Sequence, residues 1–251
     1  METIKNTYEL IIPYYSLLHK HFQKNIKIEH VNHMIKKYIS FNNNTSKLLD
    51  IGCGTGIYTN LFGQYFNKTY GIDITDGMID KCINENNNKN ISYFCTDIHD
   101  FNYNNFDMII SISQVLNHIP NHTSLEKFFD LVYDKLNTNG LFIFDIFNSN
   151  FIINNNYGSE KRVLTKNCYY TIKPVVNKNI NQYCYNLKLN NTIHNFEKKQ
   201  EYTLDYNVWY FDYIKTIIAK KNFKLIDISN MLTEIPYNDN DCKITFVIKK
   251  I

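Results

Sequence analysis

The sequence predicts an α/β protein: a mostly parallel sheet covered by helices on both faces, interrupted after its fifth strand by an antiparallel β insertion. Three observations carry this reading. Up to residue 147, short apolar runs alternate steadily with segments of helical period. Those runs are apolar throughout, as in strands buried on both faces of a sheet. Between 161 and 206 the pattern changes to long runs rich in Tyr, Thr and Val with period two. At 251 residues the chain can bury one such core and a small appendage.

Taken in order, 8–20 and 28–41 are amphipathic, and Pro13 starts or kinks the first of them. Leu48-Leu49-Asp50-Ile51 is the first strand and 57–66 a helix; 68–73 is a strand ending in an acid, and 76–86 a helix opened by Asp76. Strands follow at 91–95 and 107–112, then a helix at 121–136. Asn139-Gly140 reads as a turn into the apolar strand 141–147. The insertion is expected as a three-stranded meander, 161–172, 180–189 and 192–206, with turns at 177–179 and 190–191. Helix 208–221 returns to the frame, and strands 223–229 and 242–250, joined through a loop with Pro236, suggest an antiparallel hairpin at the sheet edge. The domain reading is therefore 1–159 for the α/β core with an N-terminal helical lid, 160–206 for the insertion, and 207–251 for completion of the core.

Composition narrows the function classes. The net charge of +3 is too small to argue for nucleic acid or an anionic membrane, and the lysine pairs at 198–199, 220–221 and 249–250 form no single stripe. Six cysteines occur with no C-x-x-C pair and no metal spacing, so no metal is expected; Cys95, Cys184 and Cys242 sit in apolar strand-like runs and are expected as buried thiols. With no signal peptide and no apolar stretch of spanning length, a reduced, cytoplasmic setting is the expectation. Roughly one residue in seven is Asn, which weakens Asn as a turn signal.

The chemistry concentrates where strands end. Leu48-Leu49-Asp50-Ile51 runs into Gly52-Cys53-Gly54-Thr55-Gly56, a buried strand entering a tight loop whose missing side chains let a ligand lie against the backbone. A dinucleotide site would need its third glycine one place later, where this chain has Ile57. The alternative is a turn whose glycines serve only the backbone. The hhDhGxGxG pattern resembles motif I of the class I S-adenosylmethionine (SAM) methyltransferases, which implies a seven-stranded Rossmann-like sheet with its last strand reversed.

On that resemblance Asp50 and the N–H groups beside Gly52, Gly54 and Gly56 face the methionine end of SAM. Asp73, closing the second strand, suits the ribose hydroxyls, because a carboxylate can accept both hydrogens. Asp97, closing the third, would accept from the adenine amino group, with Ile98 offering a backbone N–H. Each acid alone could be a loop cap or a solvated residue. After the fourth strand comes Ser111-Ile112-Ser113-Gln114-Val115-Leu116-Asn117-His118, and His118, with an unperturbed pKa near neutrality, could take the acceptor's proton. Its alternative is a structural histidine packed on the next helix. His99, His122 and His194 are read as surface residues.

More of the chain points the same way. Tyr8 and Tyr14-Tyr15-Ser16-Leu17-Leu18-His19 at the front, Asp73-Ile74-Thr75-Asp76-Gly77-Met78-Ile79, Asp97-Ile98, the His118 segment, the meander and the ending around Pro236 and Ile244-Thr245-Phe246-Val247 are together similar to the dTDP-amino-sugar N-methyltransferases of the desosamine and mycaminose type. That likeness implies Tyr15, Ile74, Met78 and Ser113 at the cofactor, and Tyr8, Tyr14 and Asn117 at the acceptor. It implies SAM as methyl donor, a nucleotide-linked amino sugar as acceptor, no nucleic-acid or membrane partner, and a homodimer using the meander's exposed edges. A small-molecule or sugar O-methyltransferase is the close alternative; an RNA methyltransferase and an inactive SAM-binding scaffold stand further off. Where the family often carries a bulky Pro/Trp-rich segment after strand five, this chain has Asn148-Ser149-Asn150-Phe151.

Overall fold

A computed structural model describes residues 5–9, 12, 15, 35–38, 45–154, 160–165, 168–177, 182–193, 196–231, 233 and 235–251, with backbone only between 153 and 205. The frame is a seven-stranded sheet. Its strands are β1 (Lys47–Ile51), β2 (Lys68–Asp73), β3 (Ile91–Cys95), β4 (Phe106–Ser111), β5 (Leu136–Phe147), β10 (Phe223–Asn230) and β11 (Lys243–Lys250), in the order β10-β11-β5-β4-β1-β2-β3. β1 pairs in parallel with β2 on one side and β4 on the other. The chain thus leaves β1 in one direction toward β3 and later resumes on its other side. The carboxyl ends of β1 and β4 flank the point where strand order reverses, which is where open sheets form binding crevices. β11 runs antiparallel to both β5 and β10.

Helices α1 (Ile57–Gly63), α2 (Asp76–Glu85), α3 (His122–Lys135), α4 (Ser149–Asn154) and α5 (Phe211–Lys220) connect the strands. On α3, Leu125, Phe128, Phe129 and Val132 recur at helical spacing and are buried. Phe129 meets Phe142 and Phe144 of β5 edge-on, with ring centroids 5.9 and 5.5 Å apart. Its start is set by Asn121, whose side chain accepts from the Ser124 N–H at 2.9 Å. On the opposite face, Tyr58 and Phe62 of α1 join Met108, Ile110, Ile143 and Val247 in a second buried layer. Burial of both faces explains why these strands carry unbroken apolar runs.

Two expected boundaries move. Asn139-Gly140 does not precede β5 but lies within it. The pairing steps from Phe106–Leu136 to Met108–Leu141, so four residues bulge out of the ladder, with Asn139 at φ 66°. The insertion has four strands, β6 (Glu160–Thr165), β7 (Cys168–Asn177), β8 (Gln182–Ile193) and β9 (Phe196–Asn207), in sequential antiparallel order. The expected strand 161–172 is split into two, and Asn190-Asn191 is paired on both sides, with Tyr169 and Cys168 of β7 and with Lys199 and Lys198 of β9. In a chain this rich in Asn, pairing between neighbouring strands outweighs the local turn preference of two residues. The edge hairpin of β10 and β11 forms as expected.

Candidate active site

The loop after β1 is held against β2: the N–H groups of Gly52 and Cys53 both donate to the Ile72 carbonyl, at 2.8 and 3.0 Å. Gly52, Gly54 and Gly56 have φ of 71°, 53° and 76°, the left-handed region that alternate glycines permit. They serve different surroundings. Gly52 and Gly54 line a cavity of about 250 Å³. A Cβ on Gly54 would stand 3.3 Å from the Tyr15 hydroxyl across that space. Gly56 faces inward instead, where a Cβ would lie 2.5 Å from the Tyr93 hydroxyl and 3.1 Å from Cys82 Sγ. Its place in the motif is therefore required by packing beneath the loop, a correction to the expected cofactor contact.

Asp73 enters the cavity at the end of β2, its Oδ2 accepting from Gly54 N–H and its Oδ1 from Thr75 N–H, both at 2.9 Å. Burial raises its pKa, opposed by those N–H donors. The carboxylate so ties the glycine loop to the next strand end and retains lone pairs for a ligand. Ile74, Thr75 and Met78 line the same wall, followed by Asp97 and Ile98 beyond β3. Asp97 accepts from the backbone N–H of His99 and contacts its ring Nδ1. His99 is exposed, as expected of a surface residue, yet it also borders the cavity.

Asp50 stands behind the loop, 2 % exposed, accepting a 2.6 Å hydrogen bond from the Thr59 hydroxyl. Burial pushes its carboxyl up to about 7, against the pull of Thr59. It does not line the main cavity but a smaller one beside it, shared with Gly52, Tyr15 and Ser113.

The opposite wall comes from distant parts of the chain. Tyr8, Tyr15, Ser113, Val115, His118, Ile119, Pro120 and Phe128 line it. The Tyr8 hydroxyl lies 2.9 Å from His118 Nε2 and the two rings meet edge-on at 5.6 Å. Tyr206, near the end of β9, packs on the imidazole with ring centroids 4.4 Å apart and hydrogen-bonds with Tyr8. Burial raises the pKa of both phenols, Tyr206 to about 12, so they act as neutral donors and acceptors. His118 thus stands at the cavity in contact with two tyrosines, one from the N-terminal segment and one from β9.

Asn117 is not in the cavity. It is fully buried, its Nδ2 donates to Asn207 O at 2.7 Å and its Oδ1 accepts from Phe147 N–H at 3.1 Å. Asn207 returns a 2.6 Å bond to Ile119 O, so the pair clamps the turn Val115–His118 to the end of β9. The expected substrate contact is corrected to a structural one. Tyr14 and His194 lie outside the described residues. His122 is exposed, stacked edge-on against Trp209 and Tyr213. Tyr206 escaped the sequence reading because nothing local marks it. Asp145 also escaped, although an acid inside the apolar run 141–147 is a visible signal of a buried polar role.

Residues 49–144 match the family model of a methyltransferase domain. Those residues are a methyltransferase domain, and the protein is an enzyme of SAM-dependent methyl transfer. SAM is its cofactor, and the site has the features that group needs: two cavity-facing glycines without side chains, a carboxylate at each of two successive strand ends, and apolar Ile98 and Met78 between them. No curated protein matches the methyltransferase in sequence. Among solved structures it is similar to a SAM-dependent methyltransferase from Clostridium acetobutylicum ATCC 824, with TM-score 0.81 and 19 % identity over 94 % of this chain and 98 % of that one. It is also similar to SAM-bound CalS10, an amino pentose methyltransferase from Micromonospora echinaspora, with TM-score 0.74 and 12 % identity over 92 % and 95 % of the two chains. The sugar N-methyltransferase KedS8 from Streptoalloteichus sp. ATCC 53650 follows, with TM-score 0.73 and 10 % identity over 94 % and 92 %. At these identities the likeness establishes a shared fold. Among the described residues no helix is long and apolar enough to cross a membrane, and no group of His, Cys, Asp and Glu is suited to a metal.

Proposed function

We propose that the methyltransferase acts on the amino group of a small molecule, most specifically a nucleotide-linked amino sugar such as a thymidine-diphosphate sugar. One observation carries this: a single cavity joins the glycine loop and the carboxylates of Asp73 and Asp97 to the His118–Tyr8 pair. When bound, SAM supplies an electrophilic methyl group on a sulfonium. Gly52 and Gly54 leave the backbone open to its methionine end, with Asp50 and Ser113 beside them. Asp73 takes the ribose hydroxyls; Asp97 and Ile98 take the adenine edge, with Ile74 and Met78 packing beside it. Tyr15 covers Gly54, and Tyr8 borders the acceptor.

His118 takes the proton from the acceptor nitrogen as that atom attacks, and Tyr8 and Tyr206 fix the plane of its ring. Holding attacking atom and methyl carbon in line at roughly 3 Å supplies much of the acceleration. The aromatic wall around His118 suits a sugar of modest size. The amino pentose methyltransferase and the sugar N-methyltransferase among proteins of the same fold support this acceptor class. The His118–Tyr8 contact equally serves a sugar hydroxyl, which makes O-methylation the second reading. A homodimer through the open edges of the insertion belongs to the same proposal.

Calorimetry with S-adenosylhomocysteine, followed by methyl-transfer assays on nucleotide-linked amino sugars, nucleotide-linked hydroxy sugars, free amines and RNA, tests it. Transfer to the amino sugars supports the proposal. Turnover of free amines or RNA with none of any nucleotide sugar overturns it.

A further inference from the structure

Between β4 and the turn Val115–His118, two consecutive non-glycine residues, Ser113 and Gln114, sit at φ 74° and 63°. Such a pair is costly for L-residues, and strain of this kind persists only where its surroundings over-determine it. Here the determinant is Asp145, near the carboxyl end of β5 and fully buried. Its Oδ1 accepts from Gln114 N–H at 2.6 Å. Its Oδ2 accepts from Ser113 N–H at 3.1 Å and from the Gln114 side-chain amide at 3.0 Å. The other end of that amide, Gln114 Oε1, accepts from Lys243 Nζ on β11 at 2.7 Å. Gln114 is thus a spacer between a buried carboxylate and its counter-charge, and both backbone N–H groups exposed by the left-handed corner end on one carboxylate.

The corner touches both halves of the site. Ser113 lines the cavity, and Val115, one residue past the corner, lies so close under Gly52 that a Cβ there would be 2.6 Å from it. His118 closes the turn that the corner begins. We infer that Asp145, acting through Gln114 and Lys243, is a positioning residue that sets the corner from which both the cofactor loop and His118 take their places. This rests on the proposed roles of Ser113 and His118, and it adds a prediction about the ligand-free protein.

The chain has a single tryptophan, Trp209, buried, whose indole N–H donates to Leu116 O at 2.8 Å inside that same turn. Movement of the corner therefore reaches a built-in fluorophore. Asp145→Asn keeps size and shape but aims an N–H₂ at donors already there, leaving at least one buried donor without an acceptor. Lys243→Met keeps the carboxylate and removes only the tether on Gln114.

The test measures Trp209 emission without ligand, the affinity for S-adenosylhomocysteine by calorimetry, kcat and KM, and the melting temperature for wild type and both variants. Both variants are expected to shift Trp209 emission. Asp145→Asn should weaken S-adenosylhomocysteine by roughly tenfold, the equivalent of one unmade buried hydrogen bond, and lower kcat as well. Lys243→Met should change both in the same direction, less strongly. If the variants melt lower while emission, affinity and kcat stay at wild-type values, Asp145 is merely structural and the inference is overturned. Should Asp145→Asn fail to fold, Lys243→Met decides alone: wild-type emission and affinity overturn the inference. If wild type itself fails to bind S-adenosylhomocysteine, the cofactor reading falls instead, and unchanged emission in the variants would be needed to sink this one.

Discussion

The two walls of the cavity are built in opposite ways. The glycine-loop wall comes from three successive strand ends between residues 50 and 98, and its groups are backbone N–H donors and carboxylates that contact one another. The facing wall joins Tyr8, His118 and Tyr206, residues nearly two hundred positions apart at the extremes, through aromatic contacts and the hydrogen bonds of Tyr8 with the other two. A wall made of local chain geometry survives wide changes in sequence elsewhere. A wall made of side chains from three elements can be retuned by any one of them.

The contrast predicts that damage to the two walls separates in kinetics. The largest effect is expected at the acceptor wall: His118→Asn should lower kcat by roughly 10²–10⁴ with little change in SAM affinity. Wild-type turnover in steady-state assays would reduce His118 to a packing residue. On the cofactor wall, Asp73→Ala should weaken SAM by about 1.5–3 kcal/mol, the range for a hydrogen bond to a charged group. Because Asp73 also receives Gly54 N–H, the loop itself should loosen. Calorimetry reads the first effect and hydrogen exchange at Gly54 the second; tight NAD binding with none of SAM would end the assignment.

A smaller effect is expected from Tyr206→Phe, which keeps the ring on His118 but removes the hydroxyl that meets Tyr8. Loss of one hydrogen bond between neutral groups should cost about 1 kcal/mol, or roughly fivefold in kcat. An equal loss of SAM affinity would show that the two walls are not separable.

The subtlest test uses pH. Asp50 titrates near 7 in the folded protein because it is buried, and near the ordinary carboxylate value when unfolded. The folded state therefore binds the extra proton between those two values, and stability without ligand should fall as pH rises from about 4 to about 7, then level off. Asp50→Asn should remove that part of the slope in urea titrations at a series of pH values; an unchanged slope would assign it wholly to Asp73 and Asp145, whose pKa values are raised in the same direction.

Asp50, the glycine loop, Asp73 and Asp97 could be located from the sequence because each stands where a strand ends. A strand buried on both faces announces itself as an apolar run, and the residue that ends it must meet whatever lies in the crevice. Gly56 shows the limit of that reasoning: its spacing fits the motif, but only packing reveals that Tyr93 and Cys82 are what it makes room for.

Asn117 and Tyr206 show the other limit. Adjacent residues on a tight turn point different ways, so His118 reaches the cavity while Asn117 turns into the frame to bind Asn207 and Phe147. Tyr206 becomes a neighbour of His118 only because a four-stranded insertion returns its last strand to the turn after β4. The sequence by itself determined the sheet, the glycine loop and the acids, since period and strand-end position are local properties of the chain. Which tyrosines flank His118, and which acid holds the corner before it, was decided by tertiary structure, because contacts between residues 8, 118 and 206, or between 114, 145 and 243, exist only once the layers have closed.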